Sequence, residues 1–559
     1  MTFCFLSIFI LGNIHSIRAQ DISDLNNRTP FRLSGELGLS TIFYSTEGRD
    51  AYRSPFTYIF TGSPTVSIYG MDFPVQIRIS EQERDFRQPM NRIGLSPYYK
   101  WAKLHLGYQS LQYSKYTLNG HALTGIGFEV TPGNWNINYM RGTLLSAISP
   151  NDFVEDLEFK VQPTYKRTGQ FLKLGYGTEK SALALVFVDA GDISNSLPDS
   201  INGFSITPAE NNIISLVGNH EITKGLVIDA EYAQSAYTDN ANSEALESTP
   251  QSAGIVGLIA DRKNSTDIRS ALEANIRYRG KVFSGKINYQ RIDPNYNSMG
   301  AYFFLNDVEK ISFDPSVKVG NGKINIAGSL GFQKNNLDQQ KDRQTTRSIG
   351  SLRTQIRPFS NYNISLTYSN FGIAQSVMST SMNPQEEVSQ VTKNIGINQS
   401  FQWINNSQMH NALINIQKQS LNDQNPNTAI FSDYDNLTIF GTYSFNYMPS
   451  RTGFTATYTF SEFENNTFST VYEGPNFSIQ QSLLKNKIRV SLTQSFLSNS
   501  RDSELIRKIR KTTLRLSLNL MQSHKISIRS HYNKSESFDE KITPFSEFKT
   551  ELNYAYRFQ

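Results

Sequence analysis

Apolar and polar residues alternate with a period of two at the end of the chain, and this feature most limits what the chain can fold into. One face of residues 548–559 carries Phe548, Thr550, Leu552, Tyr554, Tyr556 and Phe558, while the residues between them are mostly charged or polar. A period of two is that of a β-strand, whose successive side chains point to opposite faces. Such a strand fits a soluble sheet or a membrane barrel. Three aromatic residues spaced by two favour the barrel, because aromatic girdles mark the lipid–water interface.

The same alternation recurs along the whole chain. It is clearest in 31–43, 75–79, 324–332 and 514–520, where apolar residues alternate with polar ones. Helical periodicity is absent from every long window, and no apolar run reaches the roughly 18 residues that a membrane-spanning helix needs. The sequence therefore predicts an all-β chain whose apolar faces meet lipid and whose polar faces line a lumen.

The connections between these strands alternate in length. Short turns such as 131–134 and 320–322 stand at every second strand boundary, and longer polar segments such as 191–210 and 237–267 stand between them. If 158–167 and 169–178 were both spanning strands, the long segment 191–210 would fall at the end of the barrel that carries the short turns. We therefore assign 144–168 to a single loop. The layout predicts a single large transmembrane antiparallel β-barrel of about 26 strands (24–26), with short periplasmic turns and long extracellular loops.

The N-terminal segment predicts export. A short apolar run at 3–12 is followed by the mixed segment 13–19, which ends in Ala19, so we assign 1–19 to a signal peptide. Residues 20–30 form a polar leader and 31–559 the barrel, which leaves no room for an N-terminal plug domain. The one cysteine, Cys4, falls in the signal, so we expect no disulfide and no thiolate metal site. The formal net charge of +5 is too small to indicate a nucleic-acid partner.

Several stretches carry a resemblance to a known group of proteins. They are 91–101, 104–108, 116–121, 290–296 and 300–307. Together they resemble a group of large outer-membrane β-barrel proteins of Bacteroidota-type bacteria that has no assigned activity. The resemblance implies the barrel fold, but it implies no catalytic or binding residue.

The chain terminus carries a second resemblance. Tyr554, Tyr556 and Phe558 resemble the C-terminal signal by which bacterial outer-membrane proteins are inserted, although Gln559 follows the last Phe. We therefore expect the barrel assembly machinery as a partner. We also expect the last strand to close the barrel against 31–43, because closure removes the open edges.

No pattern of catalytic or metal-binding residues stands out. The histidines beyond the signal form no metal-binding pair, and the sequence motifs of hydrolases and dinucleotide enzymes are missing. Carboxylate and amide clusters in the loops lack the spacing and the glycine of a calcium loop, so we interpret them as solvated loop tips. The sequence thus predicts no catalytic residue, no metal and no cofactor. A barrel can still assemble Ser, His and an acid from separate strands, which keeps an embedded hydrolase as an alternative.

Basic residues gather on the predicted lumen face of the last strands. The set is Arg489, Arg515, Lys525, Arg529, His531 and Arg557. An Arg or Lys facing lipid at mid-depth costs about 2–4 kcal/mol, so these charges indicate the lumen face. Two interpretations remain open. The set is either a solvated wall balanced by acids such as Glu551, or a positively biased pore wall that draws anionic solutes.

One strand, 181–188, is apolar on both faces. Val186 and Val188 would face a wet lumen unless something covers them. The long connection 237–267 carries an apolar run in an otherwise polar segment, and that run contains Ile255, Val256, Leu258 and Ile259. We predict that this loop folds inward, docks against the two valines and forms a gate.

A barrel of this size would leave a large aqueous hole, so its lumen must be narrowed by loops or filled by a partner. The first hypothesis is an outer-membrane transport or translocation pore narrowed by inward-folded loops. The second is a non-conducting surface scaffold that anchors exported proteins or lipoproteins, and the third is the embedded hydrolase. Expected partners are outer-membrane lipid, the barrel assembly machinery, and a lumen-filling protein or surface lipoprotein.

Overall fold

A computed structural model describes residues 29–81, 91–149, 163–197, 206–246, 254–301, 305–377 and 388–559. The predicted signal peptide 1–19 lies outside these residues, as does most of the predicted leader. In chain order the strands are β1 (Phe31–Glu47), β2 (Phe56–Gly62), β3 (Thr65–Ile68), β4 (Met71–Ser80), β5 (Arg92–Leu95), β6 (Tyr98–Tyr99), β7 (Ala102–Gln112), β8 (Asn119–Val130), β9 (Trp135–Leu145), β10 (Arg167–Gly177), β11 (Ser181–Asp192), β12 (Glu210–Thr223), β13 (Leu226–Thr238), β14 (Thr266–Arg279), β15 (Phe283–Ile292), β16 (Val308–Val319), β17 (Ile324–Lys334), β18 (Arg343–Phe359), β19 (Tyr362–Val377), β20 (Val388–Asn405), β21 (Gln408–Asp423), β22 (Tyr434–Tyr447), β23 (Thr452–Asn465), β24 (Ser469–Leu483), β25 (Ile488–Arg501), β26 (Glu504–Leu520), β27 (His524–Ser537) and β28 (Phe545–Phe558). A single helical turn, α1 (Ala429–Ser432), precedes β22.

All these strands belong to one antiparallel sheet that closes on itself. β28 pairs with β1 from Gly35 opposite Phe558 to Glu47 opposite Ser546. β2 and β3 both lie between β1 and β4, and β5 and β6 both lie between β4 and β7, so each pair forms one interrupted strand. The result is a closed barrel of 26 strands, which confirms both the predicted strand number and the predicted closure of the last strand on 31–43.

The connections alternate in length as the sequence predicts. At the end that holds both termini of the barrel, β16 and β17 are joined by a turn in which Gly320, Asn321 and Gly322 all have positive φ. Glycine and asparagine adopt this backbone conformation at low cost, which explains why the turn forms there. At the opposite end β9 stops at Leu145, β10 begins at Arg167 and the two strands pair directly, as a single connection over 144–168 predicts; residues 150–162 of that connection lie outside the described residues.

The register assigns the two faces of the sheet, because directly opposite residues of antiparallel strands share a face. One face exposes apolar side chains such as Leu216 and ends in aromatic contacts at the short-turn end. Trp135 packs against Tyr176 with ring centroids 5.0 Å apart, and Tyr278 packs against Phe283 at 6.1 Å. This is the lipid-facing pattern of an outer-membrane barrel. Among the described residues, no helix has the length and hydropathy needed to cross a membrane.

The buried apolar residues inside the barrel are concentrated in one sector. Their cluster includes wall residues from β8 to β16, such as Phe171, Val186 and Ile213, together with residues of two connections. From β17 to β28, the described residues contribute no buried apolar side chain. Apart from Tyr44 on β1, the buried apolar side chains on the described inner wall therefore lie in the β8–β16 sector.

Candidate lumen constriction

Two connections from the long-loop end fold onto the inner wall. We call 113–118, between β7 and β8, the first inner segment, and 293–301, between β15 and β16, the second inner segment. Tyr116 and Leu118 in the first and Tyr296 in the second are buried completely. Both segments contact residues that share the face of Glu231 on β13, opposite the lipid-facing side chains, so both lie inside the barrel.

The two inner segments are bonded to each other. The Tyr296 hydroxyl donates to the carbonyl oxygen of Tyr116 at 2.9 Å, and the Ser298 hydroxyl donates to that of Thr117 at 2.7 Å. The rings of Tyr116 and Tyr296 meet edge to face with centroids 6.1 Å apart. Burial raises the pKa of Tyr296 well above its ordinary value, so its hydroxyl remains a protonated donor. The pair therefore forms one interlocked unit.

Two wall carboxylates hold the first inner segment. Glu231 accepts the backbone N–H of Lys115 at 3.0 Å and that of Tyr116 at 3.1 Å. Glu273, on the neighbouring strand β14, accepts the Lys115 ammonium at 2.5 Å. Backbone donors pointed at a buried carboxylate make charge-assisted hydrogen bonds, which are stronger than neutral ones. The segment is therefore fixed at a defined position on the wall.

Polar residues of the wall hold the second inner segment. Ser235 on β13 donates its hydroxyl hydrogen to the carbonyl oxygen of Asn297 at 2.8 Å. Asn211 on β12 accepts the backbone N–H of Met299 at 3.0 Å, and its amide donates to the Ser235 hydroxyl at 2.7 Å. The second segment is thus anchored on β12 and β13, and it shares β13 with the anchor of the first.

Val186 and Val188 are covered, as predicted. Their side chains are buried, and they belong to the cluster that contains Tyr116, Tyr296 and Met299 of the inner segments. The cover is therefore built by the inner segments. The described residues of the loop 237–267 do not supply the predicted cover, and 247–253 lie outside the described residues.

The described end of that loop, 254–260, packs on the outside of the barrel. Of the four residues predicted to form a gate, Val256 is buried against Ala236 and Ala260, with Ile214 and Ile268 beside them. Ala236 alternates with Glu231 and Ser235 along β13 and so lies on the lipid-facing side. Ile255, Leu258 and Ile259 remain exposed. The apolar run predicted that the loop would dock on a surface, but not which one. That surface is supplied by residues of the outer face, and no described part of this loop reaches Val186 or Val188.

The basic residues predicted for the lumen wall lie on neighbouring strands in adjoining rows. The register places Arg515 opposite Arg529, which lies opposite Glu551, and it places Arg489 opposite Ser517 and Lys525 opposite Asn519. His531 contacts the hydroxyl of Thr513 at 3.0 Å, and Arg557 pairs with Glu36 at 2.5 Å. The same face also carries Lys511 and Lys549, which strand alternation alone could have revealed.

Arg515 and Arg529 stand out in this set. Like charges directly opposite each other on two strands are destabilising, by up to about 1 kcal/mol. Glu551 is engaged by Lys549 at 2.6 Å, and within the described ranges no carboxylate forms an ion pair with Arg515 or Arg529. This part of the wall therefore presents unbalanced positive charge.

The terminal aromatic residues lie on the lipid-facing side. Tyr556 and Phe558 have ring centroids 5.6 Å apart, and His524 stacks on Tyr556 at 4.7 Å. The His524 ring also lies 2.8 Å from the Tyr554 hydroxyl. These residues form an aromatic cluster at the short-turn end, beside the seam between β28 and β1.

One Ser–His–acid arrangement does occur. The Ser96 hydroxyl lies 3.2 Å from Nδ1 of His105, and Nε2 of His105 lies 3.2 Å from a carboxylate oxygen of Glu129. The ring of His105 is only 1 % exposed, and the Ser96 hydroxyl also bonds Gln109. A substrate could not reach this histidine, so the arrangement is a buried hydrogen-bond network. In the part of the chain that the structure describes, no three His, Cys, Asp or Glu side chains could jointly hold a metal ion.

Sequence reasoning missed the two inner segments as a site. They overlap three of the stretches that carry the family resemblance, 116–121, 290–296 and 300–307, and both contain tyrosine beside polar residues. Glu231 and Glu273, acids on the inner face of apolar strands, were the other available signal. A carboxylate in such a place needs a partner, and here the partners come from a loop.

A closed antiparallel barrel with a lipid-facing apolar belt is a fold of the outer-membrane type. Solved structures with this architecture include the outer-membrane protein OpdK of Pseudomonas aeruginosa, with 11% identity and a TM-score of 0.32 over 68% of this chain and 100% of OpdK. OccAB3 of Acinetobacter baumannii has 11% identity and a TM-score of 0.31 over 70% and 99%. The P pilus usher PapC has 11% identity and a TM-score of 0.32 over 94% and 100%. No protein-family model matches the chain, and no curated protein matches it.

Proposed function

We propose that this chain is an outer-membrane transport pore whose lumen is narrowed by the two inner segments. The observation that carries the proposal is the locking of 113–118 and 293–301 to each other and to Glu231 on the inner wall. Loops that only joined strands would need no anchor inside the barrel. Segments fixed in a lumen set its free cross-section, which is how a pore limits what passes.

The size of the barrel supports the need for such a device. Strands about 4.8 Å apart and tilted by about 40° give 26 strands a circumference of ~160 Å, or a backbone diameter of ~50 Å if the barrel is round. The inner segments occupy the β8–β16 sector. The remaining passage then runs along β17–β28 and β1, past the basic wall.

The basic wall supports anionic solutes as the transported class. A purely structural wall would place an acid opposite each arginine, whereas here Arg515 faces Arg529, and Glu551 on the other side of Arg529 is engaged by Lys549. Positive charge concentrated on one side of a water-filled passage raises the local concentration of anions and speeds their entry. We therefore assign Arg515, Arg529 and their neighbours a role in selecting negatively charged solutes.

Single-channel recording in planar bilayers tests the proposal. The purified barrel should conduct, and in a salt gradient its reversal potential should show anion preference. The double variant Arg515→Ser with Arg529→Ser should lower the anion-to-cation permeability ratio several-fold. Lys534→Ser is the control. Lys534 lies on the same strand as Arg529 but on the outer face, where it pairs with Glu536 at 3.1 Å. Equal selectivity in the wild type and the double variant would refute the assigned role.

The second hypothesis is decided by the same recording. A barrel that is folded and inserted yet shows no conductance would favour the non-conducting scaffold over the pore. Location in the outer membrane and insertion by the barrel assembly machinery belong to the proposal. Fractionation with outer membranes and a heat-modifiable band on unboiled gels are the expected results, and recovery as a soluble periplasmic species would contradict them.

A further inference from the structure

The described end of the loop between β13 and β14 forms a compact turn on the outside of the barrel. We call residues 254–260 the outer turn. Val256 is buried, and its backbone N–H donates to the side-chain oxygen of Gln234 at 3.0 Å. Gly254 has a φ of +59°, and a Cβ there would meet the Gln234 side chain at 2.2 Å, so glycine permits this close approach. The outer turn is therefore fixed to the lipid-facing side of β13.

The anchor lies close to the upper edge of the apolar belt. Leu226 is level with Tyr278 of the aromatic girdle, and Gln234 follows eight residues later on the same strand. A strand tilted by about 40° rises ~2.5 Å per residue, which places Gln234 ~20 Å above the girdle, within a belt about 25 Å tall. Two and three strands away, Arg291 on β15 and Glu309 on β16 mark the polar rim at this end.

The outer turn presents its remaining apolar side chains away from the barrel. Leu258 is 82% exposed, and Ile255 and Ile259 are 49% and 42% exposed. Along the outer face directly below lie Leu216, Tyr232 and other exposed residues of the apolar belt. The apolar surface of the turn is thus continuous with the lipid-contacting surface of the barrel. In water these three side chains would gain nothing from their exposure.

We propose that the outer turn is a membrane-contact element, and that Ile255, Leu258 and Ile259 insert among the lipid acyl chains at the outer edge of the bilayer. The occupant of this surface is lipid because the surface extends the belt, stands at the level of the acyl–headgroup boundary and carries no charged side chain between 254 and 260. The proposal does not depend on whether the barrel conducts.

A nitroxide spin label at position 258 tests it. The full chain carries Cys4→Ser and Leu258→Cys, is reconstituted in dioleoylphosphatidylcholine vesicles, and is checked for folding by its gel shift. Oxygen concentrates in acyl chains and a nickel chelate stays in water, so the ratio of their collision rates reports depth. Leu216→Cys supplies the lipid reference, and Lys541→Cys, on an exposed turn at the same end of the barrel, supplies the water reference.

The expected ratio at position 258 is several-fold above that at position 541 and close to that at position 216. A ratio equal to that of position 541 would overturn the proposal. A label that is lipid-accessible in these vesicles but shielded from both reagents in native membranes would show that a protein covers the turn, and this result would overturn it as well.

Discussion

Replacing Glu231 by alanine should release the first inner segment from the wall. The substitution removes the acceptor of two backbone N–H groups, those of Lys115 and Tyr116, and of the Ser215 hydroxyl. The barrel itself should remain intact, because the strand ladder of β12, β13 and β14 does not involve this side chain. The perturbation therefore acts on the docking of the segment rather than on the fold.

The magnitude follows from the hydrogen bonds that are lost. A buried donor left without a partner costs about 1–3 kcal/mol, and two such donors here give a loss of about 2–4 kcal/mol when the released segment gains some water. Since 1.4 kcal/mol is tenfold, the opening equilibrium should rise between about 30-fold and about 700-fold.

Hydrogen–deuterium exchange of the peptide 113–119 measures this equilibrium directly. The amide of Asn119 donates to the carbonyl of Gly300 in the second inner segment at 2.9 Å, so this amide exchanges only when the two segments separate. Exchange of this peptide should accelerate by the factor above, while strand amides of β20 to β22 should be unchanged. Bilayer recordings of the same variant should show larger or noisier conductance.

Asp229→Ala is the matched control. Asp229 lies two residues from Glu231 on the same face, but it pairs with Arg277 at 2.5 Å and with the Asn275 amide at 2.8 Å, which are both wall residues. The Asp229→Ala substitution removes one negative charge from the lumen, as Glu231→Ala does, and it should leave hydrogen–deuterium exchange of the peptide 113–119 unchanged. If both variants accelerate exchange equally, or if neither does, then Glu231 does not hold the segment and the reasoning fails.

Three further outcomes are expected. Tyr296→Phe removes one buried hydrogen bond, worth about 0.5–1.5 kcal/mol, so exchange of 113–119 should rise by roughly tenfold or less, and no change would remove Tyr296 from the lock. Deleting 254–260 should leave single-channel conductance unchanged, because the outer turn lies outside the barrel. A higher conductance in this variant would show that the outer turn acts as a gate after all. Phe558→Ala, or deletion of 556–559, should abolish the heat-modifiable band because β28 closes the barrel, and wild-type levels would show that the terminal aromatic pattern is incidental.

The fold class and the strand layout could be predicted because they rest on local pattern. A period of two needs only neighbouring residues to state which side chains share a face, so the alternation along β28 assigns its lipid side without any tertiary contact. Parity likewise placed 144–168 in one loop, since a closed barrel with an even number of strands must alternate its ends. Even the need to cover Val186 and Val188 followed from their position on an inward face.

The identity of the cover could not be predicted. The outer turn and the inner segments all carry apolar or aromatic side chains in connections between strands, and composition does not state whether such a piece docks inside the wall or outside it. That choice is made by partners far away in sequence. Glu231 holds the N–H of Tyr116 across 115 positions, and Tyr296 reaches Tyr116 across 180.

The sequence by itself thus determined a large barrel, its two faces, its two ends and a positively charged stretch of wall. Only the tertiary structure decided that 113–118 and 293–301 enter the lumen while 254–260 lies against the outer belt. The physical reason is that a period-two pattern depends only on residues that are adjacent in sequence, and these already state which side chains share a face of the strand. The side on which a loop docks depends instead on which wall offers complementary carboxylates, amides and apolar surface once the barrel has closed.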